Sequence, residues 1–170
     1  SDAYAGQVML LSDERIQQVL ASFQREMQQK QMEMINQLAA ENLKKGTEYL
    51  EANKSNEGVV TLASGLQYKI LTEGKGPQPG LDDSVRVHYT GTLIDGKIFD
   101  SSEGGEPAEL AVGSVIAGWT EALQLMPEGS YWRLFIPADL AYGSNGYRDI
   151  GPNEVLLFDL QLLEVKRKAP

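Results

Sequence analysis

The sequence predicts an α+β protein in which one long N-terminal helix precedes a β-rich domain holding a single short helix. Three observations carry this: a Pro-free run of helix formers from Ser12 to about Asn53, a change of apolar periodicity after Gly58, and one isolated helical segment, "VIAGWTEALQLM". The resulting boundaries are 1–58 for an N-terminal segment with its helix at about 12–53, and 59–170 for the β-rich domain.

The first element is dense in Gln, Glu, Lys, Met, Leu and Ala. Ser12 is placed to cap it, and Asp13 and Glu14 fall in the first turn, where carboxylates favour the helix dipole. Arg15 stands where a full capping box would want Glu. Ile16, Val19, Leu20, Phe23, Met27, Met34, Ile35, Leu38 and Leu43 recur near three, four and seven, a thin apolar stripe on a polar rod. Some forty residues at ~1.5 Å each give about 60 Å, too long to bury most of the rod against its own domain. Gly46 interrupts the pattern at a cost of about 1 kcal/mol relative to Ala, and "ANKSNEG" supplies the polar residues and Gly of a helix end.

Beyond Gly58, "VVTLASGLQYKILTEGKG" and "SVRVHYTGTLIDGKIFD" are β-branched and aromatic segments bounded by Gly, Pro and Asp. Asp95-Gly96 predicts a two-residue hairpin turn. "SYWRLFIP" and "EVLLFDLQLLEVK" read as central strands, with Leu156, Phe158, Leu160 and Leu162 on one face and Asp159 and Gln161 on the other. Pro127 and Gly129 end the one short helix between them. A short helix packed on an antiparallel sheet is an α+β arrangement.

Composition narrows the chemistry. A formal charge of −9 argues against nucleic-acid or anionic-membrane surfaces, which need concentrated Lys and Arg. Without Cys there are no disulfides or thiolate sites, and the redox compartment stays open. No stretch reaches the roughly 18 apolar residues of a spanning helix. Ser1–Leu11 lacks the basic start and apolar middle of a signal peptide, so the chain is expected to be cytosolic or a trimmed exported form.

The single His88 lies between Val87 and Tyr89 and is expected to be an exposed strand residue. One His and no Cys leave only carboxylates for a metal, and no loop has EF-hand spacing. "EGKGPQPG" lacks the phosphate-loop pattern, and its Pro79 blocks a helix start, so it reads as an ordinary loop. Neither metal nor cofactor is expected. What remains is aromatic: Tyr89, Phe99, Trp119, Trp132, Phe135, Tyr142, Tyr147 and Phe158 all fall in the β-rich half. Trp132 and Phe135 read as core. Trp119, at the start of the short helix, and Tyr142, in the Gly-punctuated "LAYGSNG", divide evenly on composition between core and ligand-facing residues.

Taken together, "VRVHYTGTLIDGKIFDSS", "VIAGWTEALQLMPEGSYWRLFIPADLAYG" and "GPNEVLLFDLQLLEV" resemble the FKBP-type peptidyl-prolyl cis-trans isomerases, from about Leu66 to Val165. The preceding helix, joined through "ASGLQYKIL", is similar to the Mip (macrophage infectivity potentiator) branch of Gram-negative bacteria. The resemblance implies a half-open antiparallel sheet curling around the short helix, with a shallow apolar pocket floored by Trp119. Tyr89, Phe99, Val115, Ile116, Ile150 and Phe158 match the family's apolar wall, and Asp100 and Tyr142 its polar contacts. Catalytic roles fall on Tyr89, Phe99, Asp100, Trp119 and Tyr142, with the Ile116 N–H and Tyr142 hydroxyl as donors to a bound carbonyl. Two further rim positions depart from the pattern: Ala108 stands where many relatives carry an aromatic, and Tyr147 where a His is frequent. Glu103 and Glu106 stand where some relatives offer a base, so Asp100 is expected to lack an Arg partner.

The same resemblance implies proline-containing polypeptide clients, inhibition by rapamycin-type macrolides, and a periplasmic or outer-membrane location, with a cytoplasmic alternative. It also implies a homodimer for the full-length protein. Because only Ser1–Leu11 precede the helix, this chain is expected to lack the N-terminal dimerisation module and to be monomeric. Two other function classes compete with the enzyme. One is a module that binds prolyl segments or macrolides with little turnover; the other is a holdase chaperone presenting the helix stripe to unfolded clients.

Overall fold

The computed structural model describes residues 12–170. The expectations for Ser1–Leu11 lie outside the described residues. Helix α1 spans Asp13–Asn53, and the Arg15 N–H donates to Ser12 Oγ at 3.4 Å, so the start read from Ser12 is the observed one. The chain divides into two compact units, Ser1–Gln37 and Leu38–Pro170. Over its described residues the first unit is helix alone, exposed from Asp13 to Gln37 except at the half-buried Ala21. Every member of the apolar stripe, from Ile16 to Leu43, is exposed.

The last turns of α1 belong to the second unit. Gly46 does not interrupt the helix; it is buried where α1 meets Val155, and a Cβ there would lie 2.7 Å from Val155 Cγ2. Glycine's backbone-entropy cost is offset by that close approach. At the C-terminal end, Asn53 Nδ2 donates to Gln67 Oε1 at 2.8 Å and Gln67 Nε2 to the Leu50 carbonyl at 2.9 Å. These two side chains are buried and satisfy each other, as buried amides must.

Seven strands follow: β1 (Val59–Thr61), β2 (Gln67–Thr72), β3 (Ser84–Leu93), β4 (Ile98–Ser101), β5 (Ala108–Ala111), β6 (Tyr131–Ile136) and β7 (Leu156–Lys166). They form one antiparallel sheet in the order β1-β2-β6-β7-β3-β4, with β5 also paired to β3. Helix α2 (Ala117–Leu125) packs on it, which gives the predicted α+β class and short helix. Alternation sets the core. Leu156, Phe158, Leu160 and Leu162 are buried on β7, opposite Ile136, Leu134 and Trp132 of β6 and Leu93, Gly91, Tyr89 and Val87 of β3. Each such aliphatic or aromatic side chain contributes roughly 1.5–3 kcal/mol on burial. Trp132 is core, as expected, and stacks on Tyr68 at 4.4 Å; Phe135 is buried too, with its ring 6.4 Å from Tyr49 of α1.

Two sequence expectations are corrected. The β3–β4 connection is a three-residue loop, Ile94–Gly96, closed by Gly96 N–H to the Leu93 carbonyl and Leu93 N–H to the Lys97 carbonyl, both 2.9 Å. Gly96 alone takes a positive φ of 91° there, as in a type I turn with a following bulge, whereas the predicted two-residue turn needs two such residues. His88 is half-buried instead of exposed, with Nδ1 2.9 Å from Ser102 Oγ, because the chain leaving β4 folds back along central strand β3.

Candidate active site

The site is built where α2 begins over the middle of β3, β4 and β7. Gly91 makes room for it. A Cβ at this position would stand 2.5 Å from Phe99 Cζ and 2.8 Å from Phe158 Cε1, so only glycine lets those rings meet edge to face, centroids 5.5 Å apart at 89°. Two residues earlier on the same face, Tyr89 points its ring toward Trp119, at 5.2 Å and 81°.

Trp119 is 4% exposed and is flanked on another side by Phe158, at 5.1 Å and 85°. It reaches this depth because Gly118 lets α2 approach β6, where a Cβ would meet Ile136 Cγ2 at 2.5 Å. Ile116 caps the helix, its carbonyl accepting from Trp119 N–H at 3.0 Å and Thr120 N–H at 3.1 Å. Thr120 Oγ1 donates to the Val112 carbonyl at 2.7 Å, which fixes the turn that carries Val115. Among the described residues, neither the Ile116 N–H nor the Tyr142 hydroxyl donates to a protein acceptor.

The opposite rim comes from the loop before β7. Tyr142 and Tyr147 stack, centroids 4.9 Å apart at 15°, and the Arg148 guanidinium lies 5.1 Å from the Tyr147 centroid. Tyr147 and Ile150 exchange two backbone hydrogen bonds of 2.9 Å.

Tyr89, Phe99, Asp100, Val115 and Ile116 line a single open cavity of about 490 Å³, together with Trp119, Tyr142, Tyr147 and Phe158. Ile150 lies in a contiguous recess of about 160 Å³ that shares Phe99, Asp100, Tyr142 and Tyr147 with the main one. Ala108 is half-buried on β5 against the core and is not among the residues that line the cavity, whereas Leu110, two residues on along the same face, is. Leu110 and Ser114 were missed by sequence reasoning, although strand alternation in "AELA" links Leu110 to Ala108. Arg148 carried no signal, because its place over Tyr147 depends on a left-handed backbone, φ 51°.

Polarity is concentrated at one point. The Tyr89 hydroxyl donates to Asp100 Oδ2 at 2.7 Å, and burial together with that hydrogen bond pushes the Tyr89 phenol up to about 12. Burial likewise raises Tyr142, helped by Tyr147 and Asp100 and opposed by Arg148. Among the described residues, no Lys, Arg or His nitrogen lies within ion-pair distance of Asp100. A separate hollow of about 510 Å³ over Tyr49, Lys69 and Phe135 is already self-neutralised, Arg133 Nε donating to Asp159 Oδ1 at 2.7 Å.

Residues 76–163 match the family model described as FKBP-type peptidyl-prolyl cis-trans isomerase, and residues 1–70 the model for the domain amino terminal to FKBP-type peptidyl-prolyl isomerase. The outer membrane protein MIP of Legionella longbeachae is 51% identical over 170 residues, 99% of this chain and 73% of that protein. The FKBP-type peptidyl-prolyl cis-trans isomerase FkpA of Aeromonas hydrophila is 46% identical over 165 residues, 96% of this chain and 62% of that protein. The crystal structure of FkpA from Escherichia coli matches with a TM-score of 0.87 at 43% identity, over 92% of this chain and 74% of that one. This chain therefore spans 62% to 74% of the length of these relatives.

Proposed function

The chain belongs to the FKBP-type peptidyl-prolyl cis-trans isomerases, and from that premise we propose that it accelerates rotation about X–Pro bonds in the cavity floored by Trp119. The observation that carries this reading is the aromatic box: Tyr89 and Phe158 stand edge-on to a nearly buried Trp119 in an open cavity of about 490 Å³.

The chemistry asked of such a box is modest. Rotation about X–Pro must cross a barrier near 18–20 kcal/mol that comes from amide resonance, and no bond is made or broken. Water stabilises the planar, charge-separated amide, so a site of aromatic rings disfavours the planar form relative to the twisted one. Among the described residues the Ile116 N–H and the Tyr142 hydroxyl, both on residues that line the cavity, donate to no protein acceptor, and each is suited to hold a carbonyl of the bound peptide while the ring turns against Trp119. Asp100, held by Tyr89, places a carboxylate beside the rotating unit. The test is a prolyl-peptide isomerisation assay with Asp100→Leu and Trp119→Phe. Both should lose most turnover while remaining folded; full activity in Asp100→Leu would remove Asp100 from the mechanism.

Within the same reading, the clients are proline-containing polypeptides, and rapamycin-type macrolides compete for the box. We extend to this protein the outer-membrane setting that the name of its Legionella relative carries, the periplasmic setting that the family resemblance implies, and homodimer formation by the full-length protein. Light scattering on the full-length protein at micromolar concentration tests the latter, a dimer being the expected outcome. The exposed stripe of α1 supports a second activity beside turnover, holding unfolded clients. Polar replacement of Phe23 and Ile35 should weaken aggregation suppression and leave peptide isomerisation unchanged.

A further inference from the structure

We propose that Asn153 is a positioning residue that ties the last turns of α1 to the aromatic rim of the cavity, so that the helix helps set where Tyr142 stands. The inference rests on the isomerase reading of that cavity. Asn153 makes two bonds in opposite directions. Its backbone N–H donates to the carbonyl of Gly143, the residue after Tyr142, at 2.8 Å, and its side-chain Nδ2 donates to the Ala39 carbonyl of α1 at 3.2 Å. It does so from a left-handed conformation, φ 56°, which costs a non-glycine residue energy and which Asn tolerates better than most. Strain of this kind persists only where the surroundings over-determine it.

A parallel bond reinforces the first: Asn42 Nδ2, one helical turn after Ala39, donates to the Pro152 carbonyl at 2.9 Å. Another turn on, Gly46 meets Val155. One face of α1 thus grips residues 152–155, and all of these groups lie within the Leu38–Pro170 unit. At its other end the gripped segment closes a loop. Gly143 is bonded to Asn153, Tyr147 to Ile150, and the Tyr147 ring lies on Tyr142. Between these ties the backbone is permissive, with Gly143 and Gly146 both at positive φ. The loop's geometry is therefore imposed from its ends, and one end is the helix.

Losing the side-chain anchor frees the rim without removing any group from the cavity. Asn153→Gly keeps the left-handed backbone and the bond to Gly143 but deletes the amide to α1; Asn42→Ala deletes the parallel bond. Each should raise KM for a prolyl peptide by about three- to tenfold with kcat nearly unchanged, the scale of one hydrogen bond's worth of orientation in ground and transition states alike. Asn153→Asp, which cannot donate to Ala39, should behave the same way. In a Tyr142→Phe background the Asn153→Gly penalty should shrink to below twofold, which a general loss of stability would not produce. An undiminished penalty there, or an unchanged KM in all three variants, overturns the proposal. Amide hydrogen exchange decides the clamp without reference to turnover: exchange at Tyr147 and Ile150 should quicken several-fold in Asn153→Gly and Asn42→Ala, and unchanged exchange refutes it. If Tyr142→Phe leaves catalysis intact, the reading of the rim as substrate site fails, and the exchange result still decides the clamp.

Discussion

Tyr89 and Asp100 face each other across β3 and β4, the phenol donating to the carboxylate at 2.7 Å. A carboxylate that is exposed and has no cation within ion-pair distance, among the described residues, is thus oriented by a tyrosine held against Trp119. Tyr89→Phe should keep the ring packing and release Asp100. We expect kcat/KM on a prolyl peptide to fall by roughly tenfold, the scale of one hydrogen bond to a charged group, with little change in thermal midpoint. A variant as active as the parent would show that Asp100 needs no such partner.

The same pair predicts an alkaline signature. The Tyr89 phenol is raised from 10.0 to about 12 in the folded protein, with burial first and the Asp100 hydrogen bond second among the causes. Between those two values the folded state keeps a proton that the unfolded state has lost, so stability from this group is whole below pH 10 and falls as pH rises toward 12. Tyr49, Tyr131 and Tyr142 are raised too and add the same sign. The diagnostic is therefore a difference: chemical denaturation from pH 9 to 12 should show a shallower decline in Tyr89→Phe than in the parent. Parallel curves would remove the Tyr89 contribution.

Gly91 sets the depth of the box. Adding a methyl group there would force Phe99 and Phe158 apart, since the nearest ring atoms lie at 2.5 Å and 2.8 Å from the new Cβ. Gly91→Ala should cost about 1–3 kcal/mol by overpacking and reduce macrolide or peptide affinity along with stability. Calorimetry and a binding titration on the same sample check both; unchanged affinity would mean that the two rings do not shape the ligand surface.

Much of this architecture was legible in the sequence, and the gaps have physical causes. Helix α1 could be bounded because a Pro-free run of helix formers competes with nothing local, and β7 because its alternation is long. Asp95-Gly96 marked the hairpin but not the loop length, since an Asp-Gly pair suits both a two-residue turn, where both residues take a positive φ, and a three-residue loop, where the glycine alone does. His88 was misjudged because its partner, Ser102, lies 14 residues away, just beyond the end of β4. For the site, composition left Trp119 and Tyr142 undecided; only several motifs in order, read as a family resemblance, singled them out. The Asn153 contact with Ala39, 114 residues away, rests on a left-handed backbone and a tertiary contact that no local pattern encodes.

Gly46 shows how a tertiary contact reverses a propensity argument. Judged by the helix alone, Gly46→Ala should stabilise by about 1 kcal/mol. The new Cβ, however, would sit 2.7 Å from Cγ2 of a buried, β-branched Val155 that has little rotamer freedom to yield. Overpacking costs about 1–3 kcal/mol, so the net expectation is a loss of up to about 2 kcal/mol. Val155→Ala in the same chain removes the obstructing methyl groups and should recover part of that loss, leaving a favourable coupling between the two substitutions in a double-mutant cycle. Urea denaturation of the four proteins measures it. A stabilised Gly46→Ala single variant would mean that α1 does not rest on Val155 in solution.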